Sequence, residues 1–161
     1  MRPCESGDTH TQAMADQPNP PPRQPISHTI RLRVRYGETD QMGTVYNARP
    51  LDWFECGRTE LLRHLGMPYA ELEEKGLFLP LIESHLEYLG RARYDDLLEV
   101  TTTLTFEGRA RLRCTALVRH ALSQKPVVRG YTIHAFADRT GRAIRPPDWL
   151  LDALAKACAR L

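Results

Sequence analysis

The stretch YGETDQMGTVYNARPLDWFECGRTELLR, Tyr36 to Arg63, sets a carboxylate, Asp40, in a loop just ahead of an apolar helix. A carboxylate there has two uses. It can shape the loop as an Asx-turn, its oxygen accepting from a backbone N–H two residues on. It can also attack an electrophilic carbon or take a proton from water, provided that a donor is ready for the oxyanion that develops. Free amides and the positive end of the helix dipole converge where a loop enters a helix, so the start of the following element offers such a donor. Glu55 and Arg58 follow at i and i+3, spaced to pair on the helix surface. Nothing near Cys56 in sequence supplies the basic partner that would lower its pKa, and it is expected to pack rather than react.

The elements that must hold this stretch are legible from their periods. Ile30, Leu32, Val34 and Tyr36 alternate with Arg31, Arg33 and Arg35, which predicts a half-buried strand running into the loop. Pro50 suits a first helical turn, where its missing N–H costs nothing. Leu51, Phe54, Arg58, Leu61, Leu62 and Leu65 then keep helical spacing until Gly66 and Pro68 end it, predicting a helix over 50–65. A short helix over 69–75 is expected next. Four strand-like runs follow, at 79–89, 96–107, 109–122 and 127–138, with Gly108 at the turn between the second and third. The segment DWLLDALAKA predicts a terminal helix with Asp148 as its N-cap. A strand, a long helix and a meander of four antiparallel strands imply an α+β fold whose bent sheet wraps the helix. Pairing the edge strands across a two-fold axis would relieve their exposure.

The totals narrow the function classes. With 161 residues the chain has the length of one domain. The net charge of +2 is mild, and Lys75, Lys125 and Lys156 are the only lysines, so nothing marks a nucleic-acid reader. Four cysteines, Cys4, Cys56, Cys114 and Cys158, are scattered without a CxxC pair, which fits a reduced cytoplasm and no metal site. No run approaches the ~18 consecutive apolar residues of a membrane span. The Pro-rich segment 1–26 is expected to be a disordered tail, and 27–161 a single domain.

The motif ETDQMGTVYNARPLDWFECGRTELL resembles the 4-hydroxybenzoyl-CoA thioesterase-like family of hotdog-fold acyl-CoA thioesterases, and RARYDDLLEV and GRAIRPPDWL support the likeness downstream. The resemblance implies a hotdog fold, homodimers or homotetramers with sites at the subunit interface, an acyl-CoA substrate and no cofactor. It also implies roles. Asp40 matches the catalytic carboxylate, nucleophile or general base; Asn47, seven residues on, matches the position whose amide binds the oxyanion; Tyr36 matches a position beside the carboxylate. Glu55 is the reserve candidate, because some hotdog thioesterases use a helix glutamate. Arg91, Arg109 and Arg142 stand where relatives present polar or basic groups to the nucleotide, and coenzyme A brings three phosphate groups for cations to meet.

Two departures bear on mechanism. Similar relatives carry histidine where this chain has Asn47, and an asparagine cannot shuttle protons. The family's asparagine–tyrosine pair two residues on is replaced by Arg49 and Pro50. Two functions are therefore carried forward: an acyl-CoA thioesterase, and a catalytically weak acyl-CoA-binding protein that senses or scaffolds. A hotdog hydratase lacks its histidine here. Acyl-group identity, and coenzyme A against acyl carrier protein, stay open.

Overall fold

The computed structural model describes residues 25–159, so the expected tail at 1–26 lies almost wholly outside the described residues. The chain runs through strand β1 (Ile26–Arg33), helix α1 (Pro50–His64), helix α2 (Tyr69–Glu74), strands β2 (Leu81–Tyr88), β3 (Leu97–Glu107), β4 (Arg111–His120) and β5 (Pro126–Ala135), and helix α3 (Asp148–Cys158). One five-stranded sheet forms in the order β1-β3-β4-β5-β2, antiparallel throughout. The α+β arrangement of an antiparallel sheet against a long helix is the one expected, and α1 touches β1, β3, β4 and β5.

Three details differ from the sequence reading. The meander covers only β3, β4 and β5; β2 crosses to the far edge, where Leu86 faces Gly130. Residues 89–96, between β2 and β3, are too long for the two-residue turn that would fold the strands directly onto one another. The alternation of β1 holds to Val34, whose N–H donates to the Asp96 carbonyl, and then breaks. Tyr36 opens a short 3₁₀ turn and is 79% exposed instead of packed inward. At α3, Pro147 is the N-cap and Asp148 the first helical residue, where its charge still complements the dipole.

Helix α1 lies on the sheet because its apolar stripe has a notch. Trp53, Phe54, Leu61 and Leu62 are buried, and Gly57 sits among them. A Cβ at Gly57 would come 2.2 Å from the Thr102 hydroxyl oxygen and 3.0 Å from a Val100 methyl, both on β3. Only the absent side chain allows that approach. Gly57→Ala is therefore expected to destabilise the fold by about 1–3 kcal/mol despite its better helix propensity. Urea unfolding checks this, and a gain in stability would refute the close contact.

The core has two parts along α1. Near its start, Trp53 and Phe54 pack with Val34, Ala92, Leu98, Val100, Val118 and Val128. Toward its end, Leu61 and Leu62 pack with Leu72, Leu77, Leu104, Phe136, Leu150 and Leu154. Among the described residues no helix is long and apolar enough to cross a membrane.

Candidate active site

The loop carrying Asp40 is anchored by a residue that the sequence reading did not single out. Glu38 is 4% exposed. Its Oε1 accepts from Arg35 Nη2 at 2.7 Å, Arg35 Nε at 3.0 Å and Trp53 Nε1 at 3.2 Å, and its Oε2 accepts from the Arg35 amide at 2.8 Å. Burial opposes its charge, but the Arg35 amide, the Arg35 guanidinium and the indole N–H together hold the carboxyl below its usual range. The Glu38 carbonyl also accepts from the Tyr46 amide at 2.8 Å. The Glu38 side chain thus ties the start of the loop to α1, and its backbone carbonyl holds the loop's far end. The Arg35–Glu38 spacing was the available signal; the Trp53 contact, fifteen residues on, had none.

Between these anchors the loop closes on itself. Thr39 bridges to Val45, the Asp40 amide donates to the Thr44 carbonyl at 2.9 Å, and the Gly43 amide donates to the Asp40 carbonyl at 2.9 Å. Gly43 has φ +69°, a left-handed conformation that glycine adopts without strain. Half-buried Asp40 accepts the Met42 amide at 2.9 Å through Oδ1, so the Asx-turn is present. Its Oδ2 makes no hydrogen bond among the described residues. The carboxylate shapes the loop with one oxygen and leaves the other available.

The chain then reaches α1 with amides to spare. The Arg49 amide donates to Tyr46 O and the Asp52 amide to Arg49 O, but those of Asn47, Ala48 and Leu51 donate to no described residue. Pro50 has no N–H to offer. The Asn47 carbonyl accepts from the Tyr88 hydroxyl at 2.6 Å, which fastens the end of β2 to this entry. Tyr88, unmarked in the sequence reading, also lines a small cleft of about 50 Å³ with Val45, Pro50, Trp53, Arg91 and Val127 among its walls.

Arg91 is therefore beside the loop, its carbonyl bonded to His120 Nε2 at 2.9 Å. Arg109 and Arg142 are not. Arg109 lies in the β3–β4 turn and Arg142 in the turn closed by Asp138, both beyond the Ala135 end of β5, whereas Val127 at its other end meets the cleft. Tyr36 meets Tyr94 edge-on at 5.6 Å and makes no hydrogen bond to Asp40. Glu55 does not pair with Arg58. Partial burial and the Glu55 charge push the Cys56 thiol up, against the weaker pull of Arg35.

A larger cavity of about 310 Å³ opens on the other side of α1, between that helix and the β2–β5 edge. Leu51, Asp52, Glu55 and Arg58 line it from the helix, Leu79 and Leu81 from β2 and its approach, and Thr132 and His134 from β5. His134 Nδ1–H donates to the Leu79 carbonyl at 3.0 Å, so Nε2 accepts from the Thr132 hydroxyl at 3.0 Å. Burial, helped by the Arg58 charge and opposed by the Leu79 bond, lowers its pKa to about 4. The ring is neutral in the fold.

This sets a pH dependence. An unfolded histidine binds its proton near pH 6.5 and the folded one only near 4, so the unfolded chain holds more protons between those values. The stability due to neutral His134 is complete above pH 6.5 and is lost as pH falls toward 4, by about 3 kcal/mol. Urea midpoints at pH 7 and pH 5 should fall further in the wild type than in His134→Gln; equal falls would contradict the assignment.

The profile of the thioesterase-like superfamily matches residues 34–154. The acyl-CoA thioester hydrolase YbgC of Escherichia coli O157:H7 is 36% identical over 74 residues, 46% of this chain and 55% of that one. The chain spans about half the length of the first curated relatives it matches. Among solved structures, the hypothetical protein TT1821 from Thermus thermophilus superposes with a TM-score of 0.74 at 30% identity, covering 81% of this chain and 97% of its own. The DHNA-CoA thioesterase of Staphylococcus aureus gives a TM-score of 0.74 at 26% identity, covering 83% and 91%. A family profile that takes in the Asp40 loop, all of α1 and every strand from β2 to β5 leaves one conclusion: the chain is a hotdog-fold member of the thioesterase-like superfamily.

Proposed function

We propose that the protein hydrolyses an acyl-CoA thioester to the free acid and coenzyme A, with Asp40 as the catalytic carboxylate. The observation that carries this is the pairing of an unengaged Asp40 Oδ2 with unengaged amides at Asn47, Ala48 and Leu51 on one loop–helix junction. Acting as a general base, Asp40 takes a proton from water and the hydroxide adds to the thioester carbon. The Asn47 amide donates to the resulting oxyanion. The carbon–sulfur bond then breaks, and the thiolate leaves with the proton that Asp40 held. Acting as a nucleophile, Asp40 displaces the thiolate to form a mixed anhydride that water opens. Neither route needs a histidine at Asn47, since its backbone is the donor. The names of the E. coli and S. aureus relatives support the acyl-CoA substrate.

Arg91 meets the nucleotide phosphates from beside the cleft, whereas Arg109 and Arg142 reach them only from a second copy. Such an assembly, a homodimer or homotetramer, is favoured by the free β2 edge, where Leu81, Ile82, Tyr88 and Leu89 are exposed. Tyr36, exposed beside Tyr94, would line the mouth of that shared site rather than touch the carboxylate. The free cysteines Cys56, Cys114 and Cys158 accord with a cytoplasmic setting. Mass spectrometry of acid and thiol released from an acyl-CoA panel tests the reaction. Equal yields of both are expected; retention of intact ester by a protein that binds it would favour the sensing role.

A further inference from the structure

Arg58 stands out because its charge has no described counter-ion. It is 8% exposed, and its Nη1 is buried without a hydrogen-bond partner. Its contact is with the Tyr69 ring, 5.1 Å from the guanidinium carbon, which balances part of the charge but accepts no N–H bond of carboxylate strength. The other charged residues of the cavity do not serve it. Asp52 pairs with Arg49 at 3.4 Å, and Glu55 is exposed and forms no ion pair with a described residue. Thr132 and neutral His134 are bonded to each other. A buried cation is ordinarily paired, and a guanidinium facing a cavity has the planar fork that matches a carboxylate.

The cavity also has the right reach. Leu51 lines it, and the Leu51 amide is one of the unengaged donors at the proposed reaction centre. Arg58 is seven residues further along α1, a rise of about 10 Å, and a helical side chain leans back toward the helix start. We propose that this cavity receives acyl groups of medium length that end in a carboxylate, which Arg58 binds, making the protein selective for ω-carboxyacyl thioesters. The selectivity rests on the hydrolase reading for its substrate but not for its test.

The test is binding to Asp40→Asn protein, in which turnover is suppressed. Adipoyl-CoA and suberoyl-CoA should bind about 10- to 100-fold more tightly than hexanoyl-CoA and octanoyl-CoA. Adding Arg58→Gln should bring that ratio within about threefold of unity, and Arg58→Lys should leave it between. A ratio near unity with Arg58 intact, or one that survives its replacement, overturns the proposal. So does an Arg58→Gln protein that keeps the ratio but changes its sedimentation, since a second copy's carboxylate would then be the true partner. If Arg58→Gln does not fold, thermal melts of the unaltered protein decide: suberate should raise the midpoint and octanoate should not, and equal shifts overturn the selectivity. Preference without hydrolysis removes the proposed function alone; hydrolysis without preference removes this proposal alone.

Discussion

Replacing Asp40 with asparagine is expected to lower kcat on the best acyl-CoA substrate by about 10²–10⁴-fold while leaving the fold as it is. The two carboxylate oxygens have separate roles. An asparagine oxygen can still accept the Met42 amide that Oδ1 now accepts, so the Asx-turn survives. The other position becomes an amide nitrogen that neither takes a proton from water nor attacks a carbonyl. Loop closure through Thr44 and Gly43 is carried by backbone alone and does not change. Thermal melts of the two proteins should therefore coincide while their rates diverge. A variant with unaltered kcat would move the chemistry elsewhere, with Glu55 the next residue to replace.

The second large effect is structural and reaches the same loop. Trp53→Ala is expected to cost about 3–5 kcal/mol, read from the urea midpoint. Trp53 is 2% exposed in the part of the core near the start of α1, and its indole N–H supports the buried Glu38 carboxylate. Truncation opens a cavity and removes a donor from a charge held out of water, two costs that add. Trp53→Phe retains most of the packing and loses only the donor, so its cost should be about 1–2 kcal/mol. If both variants lost the same stability, the packing contribution would be negligible and the account of this corner wrong. Because Glu38 ties down both ends of the Asp40 loop, Trp53→Phe should also lower activity more than its modest loss of stability implies.

How far these features were legible depends on whether their cause is local. The helix 50–65 was readable from apolar spacing and from Pro50 and Gly66, which act within a few residues. The strands of β3 and β4 were readable because alternation is a local pattern, and their buried positions follow it. The place of β2 was not, since pairing with β5 is decided by a long crossover and by partners forty or more residues away. At the candidate site, Asp40 and Asn47 stand in a motif that the family resemblance picks out. Glu38 was visible only as spacing to Arg35, and Tyr88 not at all, because its bond to Asn47 joins elements that only the folded sheet brings together. Arg58 shows the opposite failure. Helical spacing put it beside Glu55, but the helix turns its guanidinium under Tyr69, where no carboxylate follows.

The proposed step is Asp40-dependent cleavage of a thioester at the entry to α1. Its most direct measurement is single-turnover release of coenzyme A thiol from aliphatic, aromatic and ω-carboxyacyl substrates, run side by side with unaltered protein and Asp40→Asn. At least one substrate should be cleaved by the unaltered protein at a rate at least about a hundredfold above that of the variant. Identical rates for the two proteins on every substrate would contradict the claim.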